Sequence, residues 1–266
     1  MDYTSRYGLE YNPFLKGSHN PTIVTSQYRE VQSRMNYLLQ TRGFGLITGQ
    51  PGTGKTTAIR NWIVSLNSAA YKTVYISLST LTVMEFYRVL AEELGYEPTY
   101  RKAENFRIIQ QAINRYVIEK RMTPIIILDE ANYLKNATLN DLKILFNFEM
   151  DSINKAVILL TGLPQLNTTL RLAAHEPLAQ RITTNYELKP LGKEETISYI
   201  NEKLKEAGSH MEVFEKNALE AIAGASNGVP RMIDKISNQA LMIGNVINQN
   251  IITSETIMKT VEDLEI

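Results

Sequence analysis

Cysteine is absent from the 266 residues, which excludes disulfides and thiolate metal ligands. Histidine is nearly absent too. His19, His175 and His210 are scattered, and no pair has the spacing of a metal-binding couple. Net charge is also missing, with 28 Lys plus Arg set against 28 Asp plus Glu. Any nucleic-acid contact must therefore come from a local patch, or from patches aligned by oligomerisation. No apolar run approaches the ~20 residues that a bilayer span demands. The opening Met1-Asp2-Tyr3-Thr4-Ser5-Arg6 is polar, without the apolar stretch of a signal peptide. These absences lead us to expect a cytoplasmic chain with no membrane partner.

What is present is a globular composition, 44% hydrophobic and 21% charged, on a chain long enough for one large domain and a small one. The first 30 residues, rich in Tyr, Asn, Pro and Gly, read as an irregular strap leading into a helix over 26–40. Short aliphatic runs then alternate with helical periodicity. Strands are expected at 44–48, 73–78, 124–129, 156–161 and 183–188, with helices at 55–68, 83–94, 104–120 and 139–148. Such alternation means right-handed βαβ units and an α/β fold, its parallel sheet covered by helices on both faces. From Lys193 onward the pattern is purely helical, broken at Gly208, at Asn227-Gly228-Val229-Pro230 and near Asn250. The expected organisation is a strap and helix over 1–40 contributing to a nucleotide site, an α/β core over 41–190, and a small all-helical lid domain over 191–266.

Gly49-Gln50-Pro51-Gly52-Thr53-Gly54-Lys55-Thr56 fits the phosphate-loop pattern GxxxxGK[ST] in full, between a buried strand and an amphipathic helix. Its glycines let backbone N–H groups curl around phosphate oxygens, and the helix N-terminus behind them favours an anion. Lys55 reaches the β- and γ-phosphates, the Thr56 hydroxyl ligates Mg²⁺, and Thr57 completes the nucleotide-binding segment. Asp129-Glu130 closes the most apolar strand. There Asp129 can hold Mg²⁺ while Glu130 polarises the attacking water. ATP and Mg²⁺ are the cofactors these residues call for, and ATP hydrolysis the reaction.

Asp129-Glu130-Ala131 after four aliphatics resembles the Walker B motif of AAA+ ATPases, and Gly49–Thr56 their Walker A motif. The resemblance implies a P-loop AAA+ core and three further site residues. Thr161, ending the next strand, stands where a polar sensor does, or is a strand-end hydroxyl satisfying backbone. Arg181 in Gln180-Arg181-Ile182 is placed like an arginine finger acting on a neighbouring subunit, with Arg171 as its rival. Arg231 in Gly228-Val229-Pro230-Arg231 resembles the second sensor arginine; a cation at a helix start makes sense if a phosphate lies opposite.

Within AAA+ proteins the chain is similar to the ExeA/TniB/TnsC group. The resemblance lies in Tyr7-Gly8-Leu9-Glu10-Tyr11-Asn12-Pro13-Phe14, in Ser26-Gln27-Tyr28-Arg29-Glu30 and in Thr161-Gly162-Leu163-Pro164-Gln165-Leu166. ExeA proteins of secretion carry a transmembrane segment and a wall-binding region after the ATPase, and no such segments follow here. On that ground the resemblance implies a transposon-encoded regulator. Such a protein forms an ATP-dependent homo-oligomer, ring or filament, on double-stranded DNA regardless of sequence. It recruits or licenses a transposase, possibly with a target-selection protein, and hydrolysis drives disassembly. The alternative is an ExeA-like ATPase that assembles or remodels a protein complex. The extra helix between the second and third strands resembles that of initiator-type members. It brings Tyr100, Arg101, Lys102 and Arg107 forward as DNA contacts, against the plainer reading of a solvated charge cluster.

Overall fold

The computed structural model describes residues 3–17, 22–77 and 80–265. His19 and Leu78, both read in the sequence, lie outside the described residues, as do Met1 and Asp2. Two compact units emerge, one of Gln27–Pro51 and Lys55–Leu188, the other of Met1–Ser26, Gly52–Gly54 and Lys189–Ile266. The first 40 residues thus divide at Ser26 between the two units.

The α/β unit runs α1 (Ser26–Thr41), β1 (Gly43–Gly49), α2 (Lys55–Ser65), β2 (Tyr71–Ile76), α3 (Val83–Glu93), α4 (Lys102–Ile118), β3 (Thr123–Leu128), α5 (Asn136–Leu145), β4 (Val157–Gly162), α6 (Gln165–Leu170), α7 (Glu176–Ala179) and β5 (Ile182–Leu188). The five strands form one all-parallel sheet in the order β2-β3-β4-β1-β5. The central strands β1, β3 and β4 are buried along their whole length, as their unbroken aliphatic runs require. Alternate residues serve opposite faces. Ile125, Ile127, Val157 and Leu159 pack with Val31, Met35 and Leu38 of α1 and Trp62 of α2. Ile126, Leu128, Ile158 and Leu160 pack with α3, α4 and α5 through Phe86, Leu90, Ile109 and Leu142. Each such aliphatic side chain removed from water contributes roughly 1.5–3 kcal/mol.

Two details differ from the pattern of apolar residues. Helix α5 starts three residues before Leu139, because Asn136, Ala137 and Thr138, which carry no large apolar side chain, already adopt helical geometry after the extended Lys135. Helix α2 stops at Ser65, and the chain turns where the Asn67 side chain accepts from the Ala69 N–H. The short α6 and α7 follow a strand-and-turn segment too brief to show a helical period.

The second unit holds α8 (Lys193–Glu206), α9 (Lys216–Ser226), α10 (Pro230–Val246) and α11 (Ser254–Asp263). The strap is part of its core. Tyr7, Leu9 and Phe14 are buried with Ile200, Phe214, Ile236 and Leu241. The Tyr7 hydroxyl donates to the carbonyl of Gln249 at 3.1 Å, and the Asn12 amide to Asn238 Oδ1 at 2.7 Å. The turn into α10 needs glycine. Gly228 has φ +70°, and a Cβ there would lie 2.0 Å from the Leu191 carbonyl oxygen. Pro230 then opens α10 with its φ already set.

Candidate functional site

The sheet order decides what meets at its C-terminal edge. Strand β1 runs into the phosphate loop, β3 into Asp129-Glu130, and β4 lies between them. In the register Leu128 stands beside Leu160, and Ile47 beside Thr161. Asp129 therefore follows one residue on at the end of β3, and Thr161 one residue on in β4, next to the strand that feeds the loop. Ligand sites of open parallel sheets form at this edge.

In the loop, Gly52 and Gly54 adopt φ of +84° and +99°, conformations that side chains strain to reach. Gln50 and Pro51 are exposed at its start, whereas Thr53 is buried. Lys55 opens α2 and is buried, its ammonium donating to the carbonyls of Gly49 at 2.7 Å and Gln50 at 3.1 Å. Thr56 and Thr57 are exposed on the first turn of the helix. The Thr56 hydroxyl donates to Asp129 Oδ2 at 3.3 Å, joining the two motifs. Among the described residues no cluster of three His, Cys, Asp or Glu could hold a metal by itself. An oxygen pair such as Thr56 and Asp129 suits a hard cation that keeps most of its ligands from phosphate and water.

Asp129 is buried, and its Oδ1 accepts the N–H of Glu130 at 2.9 Å. Glu130 itself sits at φ 52°, ψ 36°, in the left-handed region. Such a conformation in a non-glycine residue costs on the order of 1–3 kcal/mol and concentrates at functional sites. The turn lifts the Glu130 side chain out of the strand alternation while Asp129 stays at the strand end. Thr161 is fully buried and its hydroxyl has no hydrogen-bond partner. An unmet buried hydroxyl is destabilising by about 1–3 kcal/mol. A phosphate oxygen or an ordered water arriving at this edge would satisfy it. The left-handed loop, the buried lysine and the orphaned hydroxyl are together suited to a nucleotide triphosphate.

One residue here has no motif to announce it. The Tyr75 hydroxyl donates to Asp129 Oδ2 at 2.5 Å. Burial first, then the hydrogen bond to Asp129 and the charges of Asp129 and Glu130, push the phenol well above its ordinary value. Tyr75 is therefore a neutral donor. The only signal in the sequence was an aromatic residue near the end of a strand.

Of the remaining site candidates, Arg231 meets the loop at Gly52 and the others lie elsewhere. Arg181 is partly buried after α7, donating to the Lys143 carbonyl at 2.6 Å and pairing with Asp151. Its rival Arg171, at the end of α6, is exposed. In the helical unit, the Arg231 N–H donates to the Gly52 carbonyl at 3.3 Å, and a Cβ on Gly52 would fall 2.8 Å from the Arg231 Cβ. The Arg231 side chain is exposed. At the start of α4, Tyr100 is 88% exposed, with the Arg88 guanidinium 5.4 Å from its ring centre. Arg101 pairs loosely with Glu104 at 3.3 Å, and Arg107 is exposed. Lys102 pairs with the mostly buried Asp141 and lies over the Tyr87 ring, so its charge is already engaged.

Known proteins share this fold. Residues 37–170 match the model of the AAA domain family, and the chain belongs to that family; it is an AAA+ ATPase. Over 246 residues it is 31% identical to general secretion pathway protein A of Aeromonas hydrophila, a match covering 90% of this chain and 44% of that protein. The chain thus spans less than half the length of this curated relative. Its fold is similar to that of Cdc6p from Pyrobaculum aerophilum, with TM-score 0.70 and 17% identity over 94% of this chain and 70% of that one. It is also similar to the Aeropyrum pernix ORC1 protein, solved in complex with DNA, with TM-score 0.66 and 16% identity over 95% of this chain and 69% of that one. At such identities the two structures speak for the fold. Among the described residues no helix is long and apolar enough to cross a membrane. Because the match covers 44% of the secretion protein, the end of the given sequence does not decide between secretion and transposition.

Proposed function

We propose that this AAA+ ATPase is a regulator of DNA transposition. In this reading ATP and Mg²⁺ drive its assembly into a homo-oligomer on double-stranded DNA, where it recruits or licenses a transposase. Lys55 and Gly49–Thr57 bind the triphosphate, Thr56 and Asp129 hold the cation, and Glu130 orients the attacking water. Thr161 and Arg231 sense the γ-phosphate, and Arg181 completes a neighbour's site after leaving Asp151. Hydrolysis removes the phosphate that holds the interface and so times disassembly.

The observation that favours DNA is the cluster opening α4. Tyr100 offers an exposed ring backed by Arg88, whose buried Nε has no hydrogen-bond partner. Arg101 and Arg107 stand exposed beside it. The Arg101–Glu104 pair is a surface contact of little strength, so a phosphate can displace it. Exposed cations grouped in this way suit the phosphates of a duplex backbone. A net-neutral chain needs several copies of such a patch to hold a duplex.

The test is fluorescence anisotropy with duplex DNA, with and without a slowly hydrolysed ATP analogue. Binding is expected only with the analogue, independent of sequence and falling steeply with salt. Changing Arg101 and Arg107 together to Ala should lower DNA affinity and spare ATP affinity. A second reading, ATP-driven remodelling of a secretion-related complex, is favoured by the 31% identity to general secretion pathway protein A. Oligomers that form with the analogue yet ignore DNA would put that reading first.

A further inference from the structure

Asp129 is held at both oxygens. Its Oδ1 is tied to the Glu130 N–H, while its Oδ2 accepts from the Thr56 hydroxyl at 3.3 Å and from the Tyr75 hydroxyl at 2.5 Å. Strand β2 lies beside β3, with Tyr75 opposite Ile127. Asp129 is two residues beyond Ile127, on the same face, so Tyr75 reaches it along the diagonal that long cross-strand side chains use. Packing does not explain the hydroxyl. The residue is 39% exposed at the sheet's outer strand, where phenylalanine would cover the same surface. What the oxygen adds is a second fixed donor to the carboxylate.

We infer that Tyr75 is a positioning residue for the metal-facing carboxylate, setting the plane and rotamer of Asp129 before a cation arrives. The inference rests on the reading of Asp129 as the residue that faces the cation. Groups that orient a ligating carboxylate from behind typically govern 10–100-fold in metal affinity. Were the Thr56 oxygen engaged by a cation, the Tyr75 donor would still hold Oδ2 in place. The role differs from that of Glu130, which acts on water, and from that of Lys55, which acts on phosphate.

The experiment measures Mn²⁺ affinity by electron paramagnetic resonance in the chain saturated with an ATP analogue, with analogue affinity in chelator and thermal unfolding as companions. Tyr75→Phe should weaken Mn²⁺ by about 10-fold while metal-free analogue binding and the unfolding midpoint stay at parental values. Parental Mn²⁺ affinity in Tyr75→Phe overturns the inference. The same result beside a weakened Tyr75→Ala assigns the effect to ring packing and overturns it equally. Asp129→Asn, measured in parallel, separates the two layers. If Asp129→Asn binds Mn²⁺ normally, the metal reading of Asp129 falls and this inference falls with it. If Asp129→Asn is weakened while Tyr75→Phe is not, the inference alone falls.

Discussion

Two buried lysines, one in each unit, differ in the partners that hold their ammonium groups. Lys203 in α8 is 7% exposed, its ammonium 2.7 Å from Asp234 Oδ1 and lying over the rings of Phe14 and Tyr199. The Tyr199 hydroxyl donates to the same carboxylate at 3.2 Å. Lys55 in α2 is 6% exposed and donates to the carbonyls of Gly49 and Gln50. A carboxylate neutralises an ammonium ion. A carbonyl satisfies its protons without cancelling its charge, and can be exchanged for a phosphate oxygen. Equal burial therefore accompanies different partners, and we propose that the exchangeable carbonyls are what suit Lys55 to a phosphate.

The comparison breaks most visibly on the structural side. Lys203→Ala leaves the partly buried Asp234 without its cation, and losing one member of such a pair costs up to about 3 kcal/mol. Chemical denaturation should show that loss, and ATP affinity of the protein that remains folded should be parental. If Lys203→Ala is as stable as the parent, Asp234 is not held by that lysine.

The chemical side gives the next largest effect. Glu130→Gln keeps size and polarity but loses the base, so turnover should fall by about 10²-fold, in line with general-base contributions. ATP binding should be retained. Parental turnover in a steady-state phosphate-release assay would move the orienting role to another residue.

The smallest effect lies in pH. Burial pushes the Asp234 carboxyl above its ordinary value, while Lys203 and the Tyr199 hydrogen bond pull it the other way. The folded state then holds this proton more tightly than the unfolded chain. Its contribution to stability is full below the unfolded carboxylate value and declines as pH rises through the folded one. Asp234→Asn should remove that decline from the acid range of a stability–pH curve. An unchanged slope would show that the burial cost is fully offset in the native protein.

The two units also differed in what their sequences made legible. Strands β1, β3 and β4 announce themselves because strands buried on both faces must be continuously aliphatic. The loop and Asp129-Glu130 are contiguous patterns tied to strand ends, so reading the strands located them. Tyr75 was not legible, since its partner is 54 positions away and only β2–β3 pairing brings them together. The strap was harder still. Tyr3 donates to Asn238 across 235 positions, and no local period marks Tyr7 or Phe14 as core of the helical unit. Likewise the sequence showed Arg181 and Lys102 as cations, but not Asp151 and Asp141, which engage them.

We propose that Lys55 is poised for phosphate rather than built into the core. Lys55→Ala, followed by calorimetric titration with ATP and by thermal unfolding, tests it most directly. Tight ATP binding should disappear, because the charge opposite the β- and γ-phosphates is gone. The unfolding midpoint should stay close to the parental value, since loop carbonyls can turn to water once the ammonium is removed. Unchanged ATP affinity in the folded variant would show that Lys55 does not hold the phosphates.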